Sequence, residues 1–210
     1  QQMPFTTSRL KWHLKSVLLS ALGRSTCKVT CLRRSVYPAM STSLCCRRTD
    51  ITGRCVRVGE PMSDKWDQRF IDLAFHISGW SKDPSTKVGC VVVGEDREIR
   101  STGFNGFPRG ISDDNDRLTD RTKKYPLICH AEENAIMHAA RIGVSLKGNT
   151  AFVTWPPCSR CARSLIQAGI QEVVYPTPED IPERWMEDFE TSNGMLKEAG
   201  VVVRTVDPSE

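Results

Sequence analysis

Two short stretches constrain this chain more than anything else in it. His130-Ala131-Glu132 reads H-x-E, and 28 residues after that histidine Pro157-Cys158-Ser159-Arg160-Cys161 reads P-C-x-x-C. One neutral imidazole and two thiolates balance the charge of a zinc ion and fill three of its four tetrahedral positions. A structural zinc is normally closed by a fourth protein ligand, so three ligands leave a place for water. The metal lowers the pKa of that water from roughly 16 to about 7. Glu132 stands two residues from His130, near enough to carry protons but not spaced as a fourth ligand. These residue types predict a catalytic zinc centre, with His130, Cys158 and Cys161 as ligands and Glu132 as the proton carrier.

Both stretches sit where helices are expected to begin. Ala131 to Arg141 is rich in good helix formers and runs out near Gly143, and Cys158 opens a second such run that closes at Gly169. Cys158 and Cys161, three apart, share one helix face. At a helix N-terminus the macrodipole favours thiolate over thiol. The fold must therefore bring two helix starts to one point.

Charge divides the chain at about Pro61. Residues 1–61 hold eleven Lys or Arg against two acids, a balance of +9, whereas residues 62–210 hold 18 basic and 23 acidic residues, a balance of −5. The nine cysteines divide likewise, five before Pro61 and four after it. A thiolate metal site implies a reducing compartment, so the irregularly spaced early cysteines do not read as a disulfide framework. Nor do they have the partners a second metal site needs. The first segment has one apolar run, Val17 to Leu22, far too short to span a bilayer. Its Arg- and Ser-rich, acid-poor composition fits a transit peptide, and its charge fits a basic arm for nucleic acid. The reading favoured here is a leader without fold over 1–61, upstream of a start at Met62, and a folded domain over 62–210.

From Trp66 the pattern becomes regular. Trp66, Phe70, Leu73, Ala74 and Ile77 repeat at helical spacing, and Val88 to Val93 with Ile99 to Phe104 reads as a hairpin. Ile111 to Pro126 is a long charged loop. Strands are expected at 150–155, 172–175 and 201–203, with a helix from Pro182 carrying Trp185 and Phe189 on one face. Helices alternating with strands after a starting hairpin predict an α/β fold, a three-layer α-β-α sandwich around a central mixed sheet of about five strands. Cys90 and Cys129 read as core thiols, and His138, two turns along from His130, as a packing residue.

From about Met62 onward the chain resembles the deoxycytidylate (dCMP) deaminases of the cytidine deaminase-like zinc superfamily. The likeness rests on Ser81-Lys82-Asp83-Pro84-Ser85-Thr86-Lys87-Val88-Gly89, Gly103-Phe104-Asn105-Gly106, Lys124-Tyr125-Pro126, His130 to Ile136, Pro157-Cys158 with Cys161, and Gln167 to Ile170. H-x-E with P-C-x-x-C fixes the superfamily, and the S-K-D-P and G-F-N-G segments point to its nucleotide branch. The chain departs from the pattern at Trp80, where many members carry arginine.

The resemblance implies hydrolytic deamination of dCMP to dUMP and ammonia in pyrimidine deoxyribonucleotide metabolism. In it His130, Cys158 and Cys161 hold Zn2+, and Glu132 shuttles protons during attack at carbon 4 of the cytosine ring. The backbone N–H of Ala131 binds the 2-oxo group and Asn105 bonds the sugar. Lys82, Arg109 and Arg160 are candidates for the 5′-phosphate, because a dianion needs charged donors. A small-molecule nucleotide substrate, a homo-oligomer and a cytoplasmic location follow, or an organelle if the leader is a transit peptide. No membrane association is expected, and the acidic balance of the folded part argues against nucleic acid binding there. Two alternatives stay open: the same chemistry on tRNA adenosine or cytidine, and a zinc-stabilised module that binds nucleic acid through the basic leader.

Overall fold

The computed structural model describes residues 64–207 and, before them, the backbone of two short antiparallel strands, β1 (Arg48–Thr49) and β2 (Cys55–Val56). These strands fall inside the stretch expected to be a leader. The transit-peptide and nucleic-acid readings of that stretch otherwise concern residues outside those described.

The apolar repeat beginning at Trp66 forms α1 (Asp64–Ser78). The Val run forms β3 (Gly89–Val93), which turns at Arg97 into β4 (Ile99–Phe104). Every residue of β3 is buried, as a central strand covered on both faces requires. Its alternation sorts them: Val91 and Val93 pack under α1 with Phe70, Ile71 and Ala74, while Cys90 and Val92 face the opposite layer.

That layer consists of three helices. They are α4 (Ala131–Ile142), α5 (Ser159–Ala168) and α6 (Glu183–Glu198), each leading into a strand: β5 (Thr150–Val153), β6 (Glu172–Pro176) and β7 (Val202–Val206). The sheet order is β4-β3-β5-β6-β7, antiparallel from β4 to β5 and parallel from β5 to β7. The expected three-layer sandwich and mixed five-stranded sheet are therefore observed. Gly143 and Gly169 end α4 and α5 in the left-handed conformation, at φ 73° and 78°.

One close approach sets the height of α4. A Cβ at Gly103 of β4 would lie 2.3 Å from Ala131 O and 2.4 Å from Ala135 N, backbone atoms that cannot yield. Only glycine lets the start of α4 rest directly on the sheet.

The stretch expected to be a long loop differs from expectation. It contains two short helices, α2 (Asn115–Thr119) and α3 (Arg121–Lys124). Asp120 caps the second, its carboxylate accepting from Thr122 N at 2.9 Å. Lys124 is buried, and its Nζ lies 3.1 Å from both carboxylate oxygens of Asp83. One side-chain cap, the buried Lys124–Asp83 pair and exposed pairs such as Lys123–Asp116 at 2.6 Å hold the segment, so no apolar periodicity announced it. No helix among the described residues is long and apolar enough to cross a membrane.

Candidate metal centre and active site

His130 and Cys158 occupy equivalent places, each the extended residue just before a helix. Because α4 and α5 pack side by side on the same face of the sheet, their N-termini meet. His130 Nδ1 lies 3.3 Å from Cys158 Sγ and 3.3 Å from Cys161 Sγ, and the donor atoms of the three residues all fall within 4.8 Å of one another. Among the described residues this is the one group of three or more His, Cys, Asp and Glu side chains placed to hold a metal ion.

The donor chemistry suits zinc. The Cys161 thiol beside it, with help from His130, holds the Cys158 thiol well below its usual value, at about 4. The neighbouring Cys158 and burial push Cys161 up, and Cys158 raises His130. The metal-free cluster thus retains protons between its ligands. A metal ion must displace them, so affinity falls as pH falls.

Glu132 is 4% exposed, and burial pushes its carboxyl up to about 7. Here α4 geometry does the work: the first turn aims residue 132 inward while residue 133 stays partly exposed. Glu133 accepts from His130 N at 3.2 Å through Oε2, and from Arg160 Nε at 2.7 Å through Oε1. Arg160, a phosphate candidate in the sequence, is therefore a strut between the two helix starts. Ala131 is the first residue of α4, so its N–H has no partner within the helix and remains available.

Asn105 reaches the same edge of the sheet. Gly106 and Cys129 exchange two backbone hydrogen bonds, at 3.1 and 2.9 Å, which sets the G-F-N-G turn beside His130. The Asn105 side chain is 6% exposed and serves its own turn. Its Oδ1 accepts from Val88 N at 2.8 Å, while Nδ2 donates to Thr86 O at 2.8 Å and approaches Asp83 Oδ2 at 3.4 Å. One lone pair of Oδ1 is left for a further donor. Lys82 is exposed and pairs with Asp113 at 2.7 Å, and Arg109 is exposed. Trp80 packs edge-on against Phe104, ring centres 6.1 Å apart, and stays 55% exposed.

Cys90 is fully buried, as expected, and burial pushes its thiol well up. Cys129 is half-buried, its thiol likewise raised by burial. His138 Nδ1 lies 3.3 Å from Thr102 O, tying α4 to β4, which is a packing role. A cavity of about 390 Å3 is lined by Phe75, Trp155, Glu179 and Asp180 among others, and none of the metal-site residues lines it.

Three features escaped the sequence reading. Lys124 and Asp83 form a buried ion pair under the site's rim; removing one partner of such a pair costs about 3–5 kcal/mol. Asp188 of α6 binds Ser159, and Ser192 of α6 binds Pro157 O. Each joins residues far apart in sequence with no local signal, though Lys124 lies in one of the segments that carried the resemblance.

Comparison with known proteins agrees with this geometry. The family model for the cytidine and deoxycytidylate deaminase zinc-binding region matches residues 64–177. The chain is 46% identical over 143 residues to an uncharacterized deaminase from the luxG 3′ region of Aliivibrio fischeri, covering 68% of this chain and 94% of that protein. It is 38% identical over 151 residues to the deoxycytidylate deaminase of Mus musculus, covering 69% and 81%. Its fold matches the crystal structure of the cyanophage S-TIM5 dCMP deaminase in complex with dCMP and dUMP. There the TM-score is 0.56 and the identity 28%, over 69% of this chain and 99% of that one. With the His-Cys-Cys triangle, the buried glutamate and the matched region coinciding, the chain belongs to the zinc-dependent cytidine and deoxycytidylate deaminases.

Proposed function

We propose that the protein hydrolyses dCMP to dUMP and ammonia, with His130, Cys158 and Cys161 as zinc ligands and Glu132 as the proton carrier. The observation that carries this reading is Glu132, buried beside the ligand triangle, where the metal-free protein already holds its carboxyl above the usual carboxylate range by burial. A group poised near neutrality can take up and release a proton within one turnover. The names of the mouse relative and the cyanophage structure supply the substrate class.

When bound, zinc supplies Lewis acidity that makes water a nucleophile near neutral pH. The chain's residues do the rest. The Glu132 carboxylate accepts a proton from the attacking water and passes it to the ring nitrogen, then takes the proton of the new hydroxyl on carbon 4 and passes it to the departing amine. A C–O bond forms at carbon 4, the C–N bond there breaks, and ammonia leaves. The free N–H of Ala131, at the positive end of α4, holds the pyrimidine 2-oxo group. Asn105 has its last Oδ1 lone pair for a sugar hydroxyl. Arg109 is exposed and is a candidate for the 5′-phosphate, whereas Lys82 must exchange Asp113 for it.

Ammonia release from dCMP, CMP, deoxycytidine and an adenosine-34 tRNA stem-loop tests the assignment. If charged donors bind the phosphate, each such hydrogen bond contributes about 1.5–3 kcal/mol. Then kcat/KM for dCMP exceeds that for deoxycytidine by at least about tenfold. Equal values for the two refute the nucleotide assignment and leave the deaminase chemistry standing.

The same reading includes a homo-oligomer and a cytoplasmic enzyme. Met137 and Ile142 of α4 and Ile99 of β4 are each more than half exposed, apolar surface that a second copy can cover. It also assigns residues 1–61 no part in catalysis. Deleting them leaves melting temperature and turnover nearly unchanged; a large fall in either means that the segment packs on the enzyme.

A further inference from the structure

We infer that Asp188 is a positioning residue for the metal centre, acting through the backbone on either side of Cys158. The inference rests on the assignment of Cys158 and Cys161 as ligands.

A residue placed just before a helix usually caps it with its own side chain, satisfying one of the free N–H groups of the first turn. Cys158 stands at that place in α5 and makes no such bond. Its sulfur is turned instead toward His130, at 3.3 Å. One side chain cannot both cap the helix and bind the metal, and α6 supplies the missing cap. Asp188 Oδ2 accepts from Ser159 N at 3.0 Å and Oδ1 from Ser159 Oγ at 2.5 Å, so both carboxylate oxygens are engaged on the residue after Cys158.

One helical turn further along α6, Ser192 is fully buried and donates to Pro157 O at 2.6 Å, on the residue before Cys158. Two side chains four residues apart, hence on one face of α6, thus grip the backbone on both sides of the ligand. Between them Phe189 packs against Trp155, ring centres 6.5 Å apart, in the strand-to-helix turn that delivers Cys158. The turn cannot rotate without breaking one of these contacts. Outer partners that orient ligands in this way typically contribute 10–100-fold to metal affinity.

The test measures zinc affinity of the full chain by competition with a chelator, alongside the absorption spectrum of the Co2+-substituted protein. Asp188→Ala is expected to weaken zinc binding about 10–100-fold, with altered thiolate-to-cobalt bands. Asp188→Asn, which keeps one acceptor for Ser159 N, is expected to fall between that variant and wild type. Ser192→Ala is expected to weaken binding as well. Cys158→Ala is the control for the ligand assignment, since it abolishes binding whether or not Asp188 matters. Unchanged affinity in Asp188→Ala, even with a lowered melting temperature of the metal-free protein, overturns the inference. Should that variant not fold, unchanged affinity in both Asp188→Asn and Ser192→Ala does the same.

Discussion

Glu132→Gln keeps the zinc and the fold while lowering kcat by about 10²–10⁴-fold, the usual contribution of a positioned acid–base group. The substitution is nearly isosteric and leaves His130, Cys158 and Cys161 untouched. It removes the one group at the site able to carry a proton from water to the ring. Steady-state ammonia release on zinc-loaded protein measures the loss, and turnover near the wild-type rate would make Glu132 structural.

A second readout needs no turnover. In the metal-free protein burial raises the Glu132 carboxyl from the ordinary 4.5 to about 7. Below pH 4.5 the group is protonated in folded and unfolded chains alike and costs nothing. Between 4.5 and 7 the unfolded chain ionises first, so stability falls as pH rises, and above 7 the whole cost is present. At about 1.4 kcal/mol per pKa unit that cost is about 3 kcal/mol. Metal-free Glu132→Gln should therefore gain on metal-free wild type by about that much between pH 4.5 and 7 in denaturant melts. A constant difference across that window would place the glutamate in contact with solvent.

Cys158→Ala and Cys161→Ala each take zinc content from about one ion per chain to near zero and abolish activity. Two remaining ligands do not hold zinc against water at micromolar metal, because the site's affinity comes from simultaneous ligation by deprotonated donors. Binding to the folded state alone stabilises by about 4 kcal/mol when free metal is a thousandfold above Kd. For a domain of this size each kcal/mol corresponds to about 2–4 °C. The zinc-dependent rise in melting temperature, roughly 10 °C on these figures, should vanish in both variants. Metal analysis of dialysed protein decides the matter, and full occupancy in the double variant would remove these cysteines from the metal site.

How much of this was legible beforehand depends on the range of the interaction that fixes each feature. The helix starting at Ala131 and ending at Gly143, and the wholly buried strand β3, follow from neighbouring residues, and both are where the sequence places them. That His130, Cys158 and Cys161 lie together where they could hold a metal ion was legible too, because metal chemistry restricts residue type and spacing tightly. Helices α2 and α3 were missed because polar contacts, among them the Asp120 cap of α3 and the buried Lys124–Asp83 pair, hold them without a periodic apolar face. Arg160 illustrates the same limit: its charge invites a phosphate, yet the packing of α4 beside α5 gives it to Glu133.

The sequence by itself thus determined which residues can bind a metal, the order of the longer helices and of the strands of the main sheet, and the reaction class those donors permit. Only the tertiary structure decided the rest: that Glu132 is dry enough to titrate near neutrality, that Asn105 has a single lone pair to offer, and that α6 holds the turn bearing Cys158. Each of these depends on desolvation or on a contact between segments more than a dozen residues apart. Such contacts exist only once the sheet has brought those segments together, and no local pattern of residues encodes them.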